Sequence, residues 1–141
     1  MTATINIFHA PEEIITDAEI DAVCRAALND KDFSLSIEFM DDHDIQALNK
    51  QFRHKDKPTN VLSFPNDDDN YIGDIAISID TIKREALEQD KAIKDHLRHM
   101  VVHGTLHLLG YDHEESEKEA EEMEALEIDI LEKFGINNPY I

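Results

Sequence analysis

Between residues 33 and 40 apolar and polar positions alternate, with Phe33, Leu35, Ile37 and Phe39 on one side and Ser34, Ser36 and Glu38 on the other. Successive side chains of an extended chain point to opposite faces, so this run predicts a half-buried strand. The same alternation marks residues 4–8, around Ile5 and Ile7, and residues 73–78, around Ile75 and Ile77. Val61-Leu62-Ser63-Phe64, closed by Pro65, predicts a further strand. Elsewhere the apolar spacing is that of a helix. Thr16 with Glu19 forms a capping-box pattern that opens a helix to about Leu28, with Ile20, Val23, Ala27 and Leu28 as its stripe. Asp41 or Asp42 is expected to cap a second helix with Ile45, Leu48 and Phe52 inward, and Asp80 or Thr81 a third with Ile82, Ala86 and Leu87 inward. Residues 92–109 predict a central helix whose apolar positions cover most of its circumference, which requires deep burial. A last helix is expected over residues 115–134, with Met123, Leu126, Ile130 and Leu131 inside, its many glutamates in water, and Gly135 as its stop. The segments 29–32, 53–60 and 66–70 read as turns and polar loops; the Asp67-Asp68-Asp69 run lacks the ligand spacing of a calcium loop.

Four short strands and about five helices predict an α+β fold, a single domain over residues 1–141 with a small four-stranded mixed sheet. With Cys24 as the one cysteine no internal disulfide can form, and its apolar neighbours predict a buried, inert thiol. Neither a signal-peptide layout nor a membrane-spanning run is seen, so a cytoplasmic setting without membrane partners is expected. The formal net charge of −19 opposes non-specific nucleic-acid binding. That charge is uneven. Residues 114–132 carry ten acids against one lysine, whereas Lys50, Arg53, Lys55 and Lys57 face only Asp56. Residues 83–98 hold five basic residues against four acids, Arg84 and Arg98 among the basic ones, so a polyanion could bind locally.

Candidate chemistry concentrates in His103-Gly104-Thr105-Leu106-His107-Leu108-Leu109-Gly110-Tyr111-Asp112-His113. His103 and His107, four residues apart, project from one face of a helix. Gly110 suits a helix C-cap, after which His113 can double back toward the same point. Three imidazoles and an open fourth position suit a catalytic zinc ion on the central helix, though copper and nickel also suit such ligands. The spacing is also that of the metzincin proteases, whose second motif position is a glutamate acting as general base. Here that position is Gly104, which counts against peptide hydrolysis and suits close packing instead. Arg53 is the matching candidate for binding a phosphate and stabilising charge developing on it. His99, one turn before His103, reads equally as a group supporting the metal ligands, one facing substrate, or a structural histidine.

The histidine stretch resembles the YbeY family of bacterial metal-dependent endoribonucleases, also described as ribosomal RNA maturation factors. Two further blocks carry the resemblance: Phe52-Arg53 followed by Asp56-Lys57-Pro58-Thr59-Asn60-Val61-Leu62-Ser63-Phe64-Pro65, and Gly73-Asp74-Ile75-Ala76-Ile77-Ser78. It implies one zinc ion on His103, His107 and His113, with Arg53 as the functionally important arginine, so these four residues form the expected catalytic set. It further implies cleavage of single-stranded RNA in ribosomal RNA processing, notably at the small-subunit 3′ end, and in ribosome quality control. The implied partners are ribosomal RNA, the small subunit and its assembly proteins. Asp56, Thr59, Asn60 and Ser63 align without a separate role. A metallopeptidase-like hydrolase and a non-catalytic zinc-stabilised assembly factor are the alternatives, and water and a 2′-hydroxyl both stand as nucleophiles.

Overall fold

The computed structural model describes residues 3–68, 70–111 and 116–140. Its elements are β1 (Ile5–Phe8), α1 (Asp17–Leu28), β2 (Ser34–Met40), α2 (Asp42–Arg53), β3 (Val61–Pro65), β4 (Tyr71–Ser78), α3 (Ile79–Glu88), α4 (Ile93–Leu108) and α5 (Glu117–Glu132). The strands form one sheet in the order β1-β2-β4-β3, parallel from β1 through β2 to β4 and antiparallel between β4 and β3. This is the α+β, mixed-sheet architecture expected.

The alternation of β2 decides which face is covered. Leu35, Ile37 and Phe39, with Ile75 and Ile77 of β4, enter a core shared with α1, α4 and α5. Across the sheet α2 covers a smaller cluster of Ile45, Leu62 and Ala76. Helix α4 touches α1, α3, α5, β3 and β4, which explains its apolar circumference. Gly104 is what lets it lie so close to the sheet: a Cβ there would meet Ile75 Cγ2 at 3.0 Å and Val61 Cγ2 at 3.3 Å. Ser63 Oγ donates to the Gly104 carbonyl at 3.1 Å and fixes the contact. Cys24 is fully buried against Thr105, and burial pushes its thiol up to about 12, as an inert cysteine requires.

Local rules hold at several termini. Thr16 and Glu19 make both halves of the capping box, and Asp41 caps α2 through the Asp44 N–H. Other expectations need correction. Ser78, the last residue of β4, caps α3 by accepting from Thr81 N, so neither Asp80 nor Thr81 does. Starting the helix there turns Ile82 and Ala86 inward and leaves Leu87 84% exposed. Phe52 is 53% exposed and meets Phe64 edge-on, because α2 covers only part of the outer sheet face. Most distinctive is Glu127, fully buried on α5, a helix whose glutamates the sequence places in water.

Candidate active site

Helix α4 places His103 and His107 one turn apart, with their Nε2 atoms 3.1 Å from each other. Ligand atoms of a tetrahedral zinc site with Zn–N of about 2.0–2.1 Å lie roughly 3.3 Å apart, so the pair fits two positions of such a site. Past Leu108 the helix closes in a Schellman arrangement: Gly110 N–H donates to His107 O and Tyr111 N–H to Leu106 O, with Gly110 at φ +102°. This is the turn expected to return the chain toward the metal position. His113 lies outside the described residues.

The opposite wall comes from the end of α2. His54 takes the left-handed conformation that ends the helix. Asn49, buried on α2, then binds the returning loop, its side-chain Nδ2 donating to Lys57 O at 2.9 Å and its main-chain carbonyl accepting from Lys55 N–H. Gln46 holds Asp56 through its side-chain amide. Arg53 donates from Nη2 to the Ser63 carbonyl at 3.0 Å, which lays its guanidinium along β3. The result is a cleft of about 580 Å³ whose lining includes Arg53, Lys55, Lys57, Thr59, Asn60, Ser63, His103, His107 and Tyr111. Three cations and no carboxylate line it among the described residues, on a chain of net charge −19. Residues fifty positions apart in the chain, Arg53 and His103, thus share one cleft. Asp56 does not line it, and neither do Arg84, paired with Asp42, or Arg98, paired with Glu19. The basic surface facing the site is therefore narrower than the composition of residues 83–98 suggested.

Behind the histidines lies a buried polar group that is absent from the expected site residues. Glu127 accepts from His103 Nδ1 at 2.5 Å, from His99 Nε2 at 3.3 Å and from the Tyr140 hydroxyl. Burial alone would raise its carboxyl, but the bonds from His103, His99 and Tyr140 outweigh burial and hold it down at about 2. Burial and the adjacent carboxylate push the Tyr140 hydroxyl up. His99, 6% exposed, thus sits behind the His103–His107 pair, bonded to Glu127 and Tyr140. His96 is buried against Glu85, whose carboxylate also accepts from Asn60 at the cleft rim; burial lowers the His96 imidazole despite that partner. A signal for Glu127 was present: it stands between Met123 and Ile130 on the inward stripe of α5, where a solvated glutamate has no place. Among the described residues the one trio whose ligand atoms all lie within 4.8 Å of one another is Asp41, His43 and Asp44, since His103 and His107 form only a pair there. All three are exposed, and Asp41 is engaged as the cap of α2.

The family model described as "Endoribonuclease YbeY" matches residues 6–135. Curated relatives of that name include one from Colwellia psychrerythraea, 53% identical across 79% of this chain and 74% of the relative. Another, from Acinetobacter baumannii, is 44% identical over 94% of this chain and 92% of its own. A third, from Alteromonas mediterranea, is 46% identical over 99% and 98%. The solution structure of TM1509 from Thermotoga maritima superposes with a TM-score of 0.65 at 27% identity, covering 92% of this chain and 88% of that one. With the family match spanning most of the chain and relatives this similar along nearly their whole length, the chain belongs to the YbeY endoribonuclease family.

Proposed function

We propose that the protein is a zinc-dependent endoribonuclease that cuts single-stranded RNA. On this reading it acts in the cytoplasm on ribosomal RNA, in maturation of the small-subunit 3′ end and in ribosome quality control, alongside the small subunit and its assembly proteins. The observation that carries the nuclease reading is the cleft itself, where Arg53, Lys55 and Lys57 face the His103–His107 pair with no carboxylate between them among the described residues. Such a lining attracts a phosphodiester backbone and, among the described residues, offers no carboxylate base for peptide hydrolysis.

The edge of the sheet supports the same choice. Strand β3 is an outer strand beside the cleft, the kind of edge to which a peptide substrate adds as a further strand. Here Val61 N–H is taken by Asn60 Oδ1 at 2.7 Å, the Ser63 carbonyl by Arg53, and Pro65 has no N–H to offer. Two of the outward main-chain groups that would hold a peptide are thus already engaged by the chain's own side chains. Gly104 adds that a glutamate at the proteases' position would have to displace Ile75 and Val61.

His103, His107 and His113 would hold the zinc ion, which supplies Lewis acidity toward a phosphate oxygen or the attacking hydroxyl. Arg53, free of any acidic partner among the described residues, binds the phosphate and offsets charge that builds on it during displacement. The cations Lys55 and Lys57 hold the flanking backbone. The test is cleavage of single-stranded RNA by wild type, His113→Ala and Arg53→Glu, purified free of contaminating nuclease, with zinc content measured on the same samples. Wild type should cut, His113→Ala should lose both zinc and cleavage, and Arg53→Glu should keep zinc while losing cleavage. Equal cleavage by all three, or by none, removes the enzyme reading.

A further inference from the structure

Helix α5 carries a carboxylate where its packing calls for an aliphatic side chain. Met123, Ile130 and Leu131 make the inward stripe, and Glu127 occupies it with no exposed side-chain surface. Taking an ionised carboxylate out of water is costly unless strong hydrogen bonds compensate, so packing alone would favour leucine. What the carboxylate does is specific. One oxygen, Oε1, accepts from His103 Nδ1 at 2.5 Å. The other, Oε2, accepts from His99 Nε2 at 3.3 Å and from Tyr140. Because His99 and Tyr140 occupy Oε2, Oε1 stays directed at His103. A donating Nδ1–H fixes the imidazole in the tautomer whose Nε2 carries a lone pair, and that Nε2 points at His107 Nε2.

Tyr140 reaches this group from the far end of the chain. The segment after α5 folds back with Ile136 buried, and Lys91 Nζ binds the Pro139 carbonyl at 2.9 Å. The phenol then closes over Glu127 and His99, whose ring lies 5.4 Å away and nearly perpendicular.

We infer that Glu127 is a positioning residue for the metal centre, orienting His103 and raising its basicity as a ligand, and that Tyr140 of the C-terminal segment holds Glu127 in that role. This rests on the proposed metal site at His103 and His107, so the readout is metal affinity, without RNA. Zinc affinity is measured by chelator competition on wild type, Glu127→Gln, Tyr140→Phe and His103→Ala, with folding followed by circular dichroism and thermal midpoint. Glu127→Gln keeps the volume and removes the charge; it should weaken zinc roughly 10- to 100-fold. Tyr140→Phe should weaken it in the same direction by less. The cobalt-substituted forms should show a changed visible absorption spectrum in Glu127→Gln, which a purely structural role would leave as in wild type. Folded Glu127→Gln with wild-type zinc affinity and cobalt spectrum overturns the inference. If Glu127→Gln does not fold, Tyr140→Phe decides, and unchanged affinity there also overturns it. Wild-type zinc binding by His103→Ala would instead remove the metal site itself, so the two failures are distinguishable.

Discussion

Gly104 does two jobs at once, since the missing side chain both seats α4 on the sheet and removes the general base of the protease pattern. Ile75, which a new Cβ would touch at 3.0 Å, is 1% exposed and has nowhere to retreat. An alanine gains up to about 1 kcal/mol of helix propensity over glycine, whereas overpacking a filled core costs about 1–3 kcal/mol. The steric term wins at this site. Gly104→Ala is therefore expected to lower stability by about 1 kcal/mol, read as a lower denaturant midpoint at unchanged slope. Gly104→Glu should destabilise further and yield no cleavage of casein or peptide substrates. Peptidase activity in that variant would mean that the cleft can receive a peptide after all. An increase in stability for Gly104→Ala would mean that Ile75 can move.

At the level of elements, α4 is held by charges as well as by packing. Glu19, the third residue of α1, completes its own capping box and also accepts from Lys94 Nζ at 2.8 Å and Arg98 Nη2 at 3.0 Å. The Lys94 hydrogen bond first, then the Thr16 backbone, draws its carboxyl from 4.5 down to about 2. A depressed carboxyl stabilises the folded state fully above the unfolded value and loses that contribution as pH falls through the folded one. Glu19→Gln should thus melt below wild type by a constant margin above about pH 5, and the margin should close between pH 4.5 and 2. A margin independent of pH across that range would show that the amide loses packing and not charge. This network joins residues 75 and 79 positions apart, and no local pattern announces it. What was legible was local: the alternation of β2, the Thr16–Glu19 box, the i, i+4 histidines and the glycine turn after them. What was hidden depended on neighbours in space. Leu87 looks inward until Ser78 sets where α3 begins, Phe52 until one sees how little of the outer sheet face α2 covers, and Glu127 looks solvated among the ten acids of residues 114–132.

Over the whole molecule the charge distribution poses the sharpest question, because a chain of net charge −19 is proposed to bind RNA. Repulsion from the acidic surface is screened within about 8 Å at physiological ionic strength, so a local cluster can dominate contacts inside the cleft. The cluster is small: Arg53, Lys55 and Lys57. Each backbone phosphate neutralised on a single strand contributes about −0.7 to the slope of log affinity against log salt, so three give roughly −2. Measured with a short single-stranded RNA in the His113→Ala background, to prevent turnover, binding should weaken with that slope. Lys55→Gln combined with Lys57→Gln should reduce it to about −0.7, leaving Arg53 alone. Charge reversal at Arg84 or Arg98, which pair with Asp42 and Glu19 away from the cleft, should leave the slope unchanged. A slope insensitive to Lys55 and Lys57 would place the RNA on a different face. A much steeper one would mean that more cations than the cleft displays come into contact, and so that the bound RNA runs well beyond it.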